Sequence, residues 1–160
     1  MFKGLTHRVQ RLLATNAQEE ARRFNYDQLL PEHIIIAMLK EGGGTACKAL
    51  MFLRIDLSEF KRTLESSIPR IPGMLVNGDA PPSKRTKNML EIATEEARSM
   101  GSDYLGTEHL LYAAMKEQDS NVQAYLNQRA VDTDMLRVII QTTFNRSGSR
   151  PDDDYIPVEG

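Results

Sequence analysis

"LLPEHIIIAMLKE" (residues 29–41) returns 76 residues later as "LGTEHLLYAAMKE" (residues 105–117), with six of thirteen positions identical. The echo extends outward. Sliding the chain by 76 residues aligns Ala17–Leu64 with Ala93–Ile140 without a gap, and fourteen of those 48 positions are identical, "EEAR" (Glu19–Arg22 and Glu95–Arg98) among them. Nearer the start the offset becomes 77, because Thr6, Arg8 and Leu13 match Ser83, Arg85 and Leu90. The first repeat therefore carries one extra residue in its opening segment. A period of this kind marks a duplicated structural unit.

Each unit reads as four helices. In the first, Thr6 is placed to cap a helix in which Val9, Leu12, Leu13, Ala17, Ala21 and Phe24 keep a helical period. A second helix spans about Pro31–Lys40, with proline in the first turn, where its missing N–H has no intrahelical partner. "EGGG" (Glu41–Gly44) ends it, Thr45–Leu53 forms a third helix, and Asp56 caps a fourth bearing Leu57, Phe60 and Leu64. The second unit reads as Ser83–Met100, Thr107–Lys116, Ser120–Arg129 and Asp132–Phe144. The second helix of each unit is apolar on nearly every side, Ile34–Leu39 and Leu110–Met115, and such a helix is normally enclosed by others. The predicted class is all-α.

The segment between the units, "PRIPGMLVNGDAPP" (residues 69–82), holds four prolines and two glycines and reads as a connector. The tail "NRSGSRPDDDYIPVEG" (residues 145–160) is polar and aperiodic and reads as a linker. The expected division is residues 1–68 for repeat one, 69–82 for the connector, 83–145 for repeat two and 146–160 for the tail.

Twenty basic and 22 acidic side chains give a formal charge of −2, so no global charge draws the chain to nucleic acid or an anionic membrane. The start lacks the apolar core of a signal peptide, and no run approaches a membrane span. The single cysteine, Cys47, cannot form an internal disulfide and fits a reducing compartment. The expected location is the cytoplasm.

Enzyme signatures are sparse. "EGGGTACK" lacks phosphate-loop spacing, and there is neither HExxH nor CxxC. His7, His33 and His109 are the only histidines, so metal ligation would need Glu-His pairs from both repeats to converge. No catalytic residue and no metal ligand is assigned.

The Glu-His pairs admit two readings. Glu32 and Glu108 lie in a first helical turn, where the helix dipole stabilises a carboxylate, and Thr107 is placed to cap exposed N–H groups of its own helix. The histidines precede the buried run and can fix how the central helix enters the core. Alternatively, a carboxylate beside a helix N-terminus can grip a guanidinium while backbone N–H groups hold an anion. Sequence physics favours the structural role, more strongly for histidine than for glutamate.

"LTHRVQRLL", "AQEEARRF" and "LLPEHIIIAMLKEGGGTACKAL", followed by "SKRTKNMLEIATEEARSMGSDYLGTEHLLYAAMKE", resemble the tandem Clp repeats that form the N-terminal domain of Clp-type AAA+ unfoldases. The resemblance covers about Met1–Asn145, "YLGTEHLL" is its most specific element, and the spelling is most similar to ClpC, the unfoldase partner of the ClpP protease. It implies two four-helix repeats with pseudo-twofold symmetry that bind adaptor proteins and protein substrates and pass them to the unfolding motor. ATP and Mg would belong to ATPase modules outside this chain, which itself would hold no cofactor. The alternatives are a free-standing Clp-repeat accessory of the protease and the N-domain of a ClpA- or ClpB-type chaperone.

The resemblance also implies sites. In some ClpC proteins the glutamate of each Glu-His pair helps bind phosphoarginine, a degradation mark, and Glu32 and Glu108 hold those positions, with Thr107 beside the second. Repeat one departs from the pattern, carrying Leu30-Pro31 where repeat two carries Gly106-Thr107. Phe2, Lys87 and Glu91 match a second surface, where adaptors and ClpC-directed antibiotics bind, while Pro82 and Gln10 depart from it.

Overall fold

The computed structural model describes residues 3–72, 78–118 and 120–144. Two helices without a polar face lie at its centre: α3 (Pro31–Glu41), buried at every residue from Pro31 to Leu39, and α7 (Thr107–Lys116), buried from Thr107 to Met115. The other helices enclose them. In repeat one these are α1 (His7–Arg11) and α2 (Ala17–Arg23), joined end to end by a π turn (Leu12–Asn16), then α4 (Gly44–Phe52) and α5 (Leu57–Ser67). Repeat two supplies α6 (Lys84–Ser99), α8 (Asn121–Gln128) and α9 (Thr133–Ile139), the last running into a second π turn, Ile140–Phe144.

The first π turn lies where the repeat offset changes from 77 to 76. A π turn accommodates one more residue than an α turn, so the inserted residue is absorbed inside the helix without rotating α2 out of the core. The continuous first helix expected from the sequence is interrupted there for that reason. The caps of the first and fourth helices repeat. Thr6 accepts a hydrogen bond from the Val9 amide and Ser83 from the Thr86 amide, while Asp56 accepts from Glu59 and Asp132 from Met135. Gly42, at φ 79°, closes α3 in a left-handed turn, and its N–H reaches the Met38 carbonyl.

The pseudo-twofold relation is visible in the hydrogen bonds. β1 (Gly4–Leu5) pairs in parallel with β2 (Tyr104–Leu105), and an equivalent bridge joins Leu29 to Pro82. The opening of each repeat thus lies beside the entry to the central helix of the other. The Thr6 amide donates to the Leu105 carbonyl at 3.2 Å, and the Ser83 amide to the Leu29 carbonyl at 3.0 Å. Two-residue strands leave no periodic trace in sequence, so this pairing was not foreseen. The third helices cross over as well: α4 packs on α7, and α8 packs on α5, where Phe60 and Tyr125 stack at 4.3 Å. One core cluster accordingly spans both repeats.

The described ends of the connector are fastened to repeat one. Ile71 N–H donates to the Phe24 carbonyl, Asn25 Nδ2 to the Ile71 carbonyl and Tyr26 O–H to the Pro69 carbonyl. Buried Gln18 clamps Ala80 from both sides, accepting from its N–H at 2.7 Å and donating to its carbonyl at 2.9 Å. Residues 73–77 and the tail, 145–160, lie outside the described residues.

Candidate functional site

The repeated Glu-His motif opens each central helix. His33 and His109 occupy the third helical position, and each turns its ring back onto the chain. The Leu30 N–H donates to His33 Nδ1, and the Gly106 N–H to His109 Nδ1, both at 2.9 Å. This satisfies a backbone donor at the helix entry in the manner of a capping box, with imidazole in the usual place of Glu or Gln. An accepting Nδ1 requires the neutral Nε2–H tautomer. Burial maintains that state: it lowers His33 to about 4, with Glu32 and Glu20 pulling weakly the other way, and His109 to about 3. His33 packs under the edge of Tyr26 at 5.0 Å and beside Phe24. The histidines therefore have the scaffold role that the sequence favoured.

The glutamates diverge. Glu32, 3% exposed, directs Oε2 toward repeat two, where it accepts from Arg85 Nη2 at 3.1 Å and Asn121 Nδ2 at 2.9 Å. Its Oε1 is buried and has no hydrogen-bond partner. Arg85 also grips Glu117 bidentately, Nε to Oε2 at 2.6 Å and Nη2 to Oε1 at 2.8 Å. The two carboxylates raise the Arg85 pKa against the effect of burial. Glu108 is completely buried and folds back over its own helix entry. A Cβ at position 106 would overlap its carboxylate, so the glycine leaves open the space that the Glu108 carboxylate occupies. Leu30, the counterpart of Gly106, denies Glu32 that path.

Thr107 corrects an expectation. It is the first residue of α7, 1% exposed, and does not cap its own helix. Its Oγ1 instead accepts from the Ala46 N–H at 3.1 Å, at the start of α4 in the other repeat. Being already inside the helix, its hydroxyl faces outward from the helix start, and the crossed packing brings α4 to meet it.

Arg85, Glu117 and Asn121 escaped the sequence reading. A signal existed: Arg8 matches Arg85 and Glu41 matches Glu117 across the repeats, and Arg8 pairs with Glu41 as Arg85 pairs with Glu117. Lys40–Glu20 and Lys116–Glu96, each at 3.4 Å, form another repeated pair.

Of the second surface, Lys87 and Glu91 lie exposed on α6 and, among the described residues, form no ion pair with each other. Phe2 lies outside the described residues. Pro82 is engaged in the bridge to Leu29, and Gln10 is exposed. Glu91 also borders a shallow depression with Leu90, Thr94, Glu95 and Arg98. Among the described residues no His, Cys, Asp and Glu side chains cluster as a metal set, and no helix is long and apolar enough to cross a membrane.

Comparison with known proteins fits this architecture. The chain is 34% identical over 137 residues to the Bacillus subtilis protein called negative regulator of genetic competence ClpC/MecB, covering 86% of this chain and 16% of that protein. It is 33% identical over 139 residues to the chaperone protein ClpB of Oceanobacillus iheyensis, covering 86% and 17%. The chain thus spans about a sixth of the length of these relatives. The N-terminal domain of Hsp104 from Candida albicans shares the fold, with a TM-score of 0.70 at 18% identity over 89% of this chain and 93% of that one. The sequence pattern of the Clp repeat (R) N-terminal domain matches residues 4–129, and the chain belongs to that family.

Proposed function

We propose that this chain is the substrate- and adaptor-docking N-terminal module of a ClpC-like ATP-dependent unfoldase, working with the ClpP protease in cytoplasmic protein quality control. The family match across residues 4–129 carries this reading. The chemistry agrees with a binding role: both imidazoles of the repeated motif are neutral, buried and committed to helix entry, so neither is placed to exchange protons with a substrate. Catalysis, ATP and Mg would reside in the ATPase modules of a longer protein. Within the module, residues 1–68 and 83–145 would act as one interlocked unit, with 69–82 as connector and 146–160 as the lead toward the motor.

Adaptors would dock on the exposed face of α6 at Lys87 and Glu91, together with Phe2. The module, added in excess, should inhibit adaptor-dependent degradation by the full-length unfoldase and ClpP. A Lys87→Glu/Glu91→Lys variant should fail to compete. Equal inhibition by that variant would remove the assignment of this face, and no inhibition by the unaltered module would remove the docking function.

A guanidinium-bearing ligand such as phosphoarginine is proposed for Glu32, Thr107 and Glu108. The supporting observation is that Glu32 already receives a guanidinium, from Arg85. Calorimetric titration with an arginine-phosphorylated peptide should show binding that Glu32→Gln and Glu108→Gln each reduce. Unchanged affinity in both variants would reject the site.

A further inference from the structure

We propose that Arg85 is an internal competitor for Glu32: its guanidinium occupies the carboxylate that an incoming arginine side chain would need, and must swing aside to admit it. This rests on Glu32 being a guanidinium receptor and adds how access to that receptor is governed.

The ion cluster around Arg85 is asymmetric. Arg85 makes two bonds to Glu117, at 2.6 and 2.8 Å, but only one to Glu32, at 3.1 Å. Two parallel bonds to one carboxylate form the stronger, geometrically fixed grip. Release of Glu32 therefore leaves Arg85 anchored on Glu117. The Arg85 side chain is 43% exposed and that of Glu117 28%, whereas Glu32 is only 4% exposed. The arginine faces solvent, and the receptor lies behind it.

The second asymmetry lies in the carboxylate. Glu32 Oε2 takes donors from Arg85 and Asn121, while Oε1 is buried without a partner. A buried carboxylate oxygen lacking a donor is costly. A ligand guanidinium donating to both oxygens would satisfy the group more fully than Arg85 does, with Asn121 retained. Arg85 would then remain on Glu117, clear of the Glu32 carboxylate.

Two variants with opposite expected signs test this. Arg85→Gln removes the competitor and should tighten binding of an arginine-phosphorylated peptide by about tenfold, the scale of one charge-assisted hydrogen bond that no longer has to be displaced. Glu117→Gln weakens the outer anchor, turns Arg85 inward onto Glu32, and should loosen binding several-fold. Glu32→Gln combined with Arg85→Gln should abolish the gain. Calorimetry on all variants, well below their melting temperatures, would use the phosphorylated peptide and its unmodified counterpart to separate the two guanidinium sources. A gain for either peptide in Arg85→Gln, reversed by the double substitution, supports the competitor. If the unaltered protein binds through Glu32 but Arg85→Gln does not strengthen binding, the competitor is rejected and the receptor stands. If neither protein binds either peptide, the competitor and the Glu32 receptor both fall, while docking through α6 is judged separately by the degradation assay.

Discussion

The third helices of the two repeats begin differently. In repeat two, Ser120 caps α8 from within the repeat, accepting from the Gln123 N–H at 3.0 Å while its hydroxyl donates to the Ala114 carbonyl. In repeat one, Gly43 precedes α4 and supplies no capping side chain, and the donor at Ala46 is met by Thr107 of the other repeat. The counterpart of Thr107 is Pro31, which has no hydroxyl to return the contact. A missing local cap on one side is thus matched by a cap given across the pseudo-twofold axis. Duplicated units that share a core can divide such duties unevenly, because a helix start requires only that its donors be satisfied, not that its own repeat satisfy them.

The central helices, by contrast, should be equivalent, and the most severe test of the comparison lies there. Ile35→Asp and Leu111→Asp occupy matching, fully buried positions. Each places an unpartnered charge in the core and should cost more than about 4 kcal/mol. Cooperative melting followed by circular dichroism should disappear for both variants and for the whole molecule. Loss of only half of the helical signal would show that the repeats fold independently despite their crossed packing.

Acid should come next. His33 and His109 fall in the folded state from an ordinary value near 6.5 to about 4 and about 3. The unfolded chain then binds more protons as pH drops below about 6.5, so the contribution is intact above that pH and is lost progressively toward pH 4 and, for His109, pH 3. The loss should reach several kcal/mol in total. Replacing His109 with Gln, which keeps an acceptor at the third helical position, should flatten the fall in melting temperature between pH 7 and pH 4. An unaltered pH profile in that variant would place the acid sensitivity elsewhere.

The uneven caps predict smaller, local effects. Thr107→Val and Ser120→Ala should each cost about 1 kcal/mol. Hydrogen exchange distinguishes them: the first should speed exchange at Ala46, in the repeat that was not mutated, and the second at Gln123 in its own repeat. Faster exchange confined to the mutated repeat in both cases would contradict capping across the axis. Smallest of all, Lys87→Ala and Glu91→Ala, on an exposed helix face, should shift stability by less than about 0.5 kcal/mol. A larger change would mean that these side chains support the fold and are not reserved for docking.

Much of this was legible from the chain. The 76-residue echo located both central helices, and unbroken apolar runs marked them as enclosed. The caps at Thr6 and Asp56 followed from residue type and position. Even the single extra residue near Leu13 was countable, although the register alone did not say whether a loop or a π turn would take it up. The candidate site was less readable. Glu32 and Glu108 look alike in the alignment, yet one meets Arg85 and Asn121 and the other folds over Gly106. Arg85 lies 53 residues from Glu32, and no local period links them.

By itself the sequence determined what depends on neighbours along the chain: helix positions, the caps at Thr6 and Asp56, the duplication and the family. Periodicity and capping act over a few residues, so their signatures are written locally. Tertiary structure alone decided which carboxylate receives a guanidinium, whose hydroxyl serves which helix, and which histidine nitrogen carries the proton. Those outcomes depend on what crossed packing brings within about 3 Å, the range over which a hydrogen bond acts.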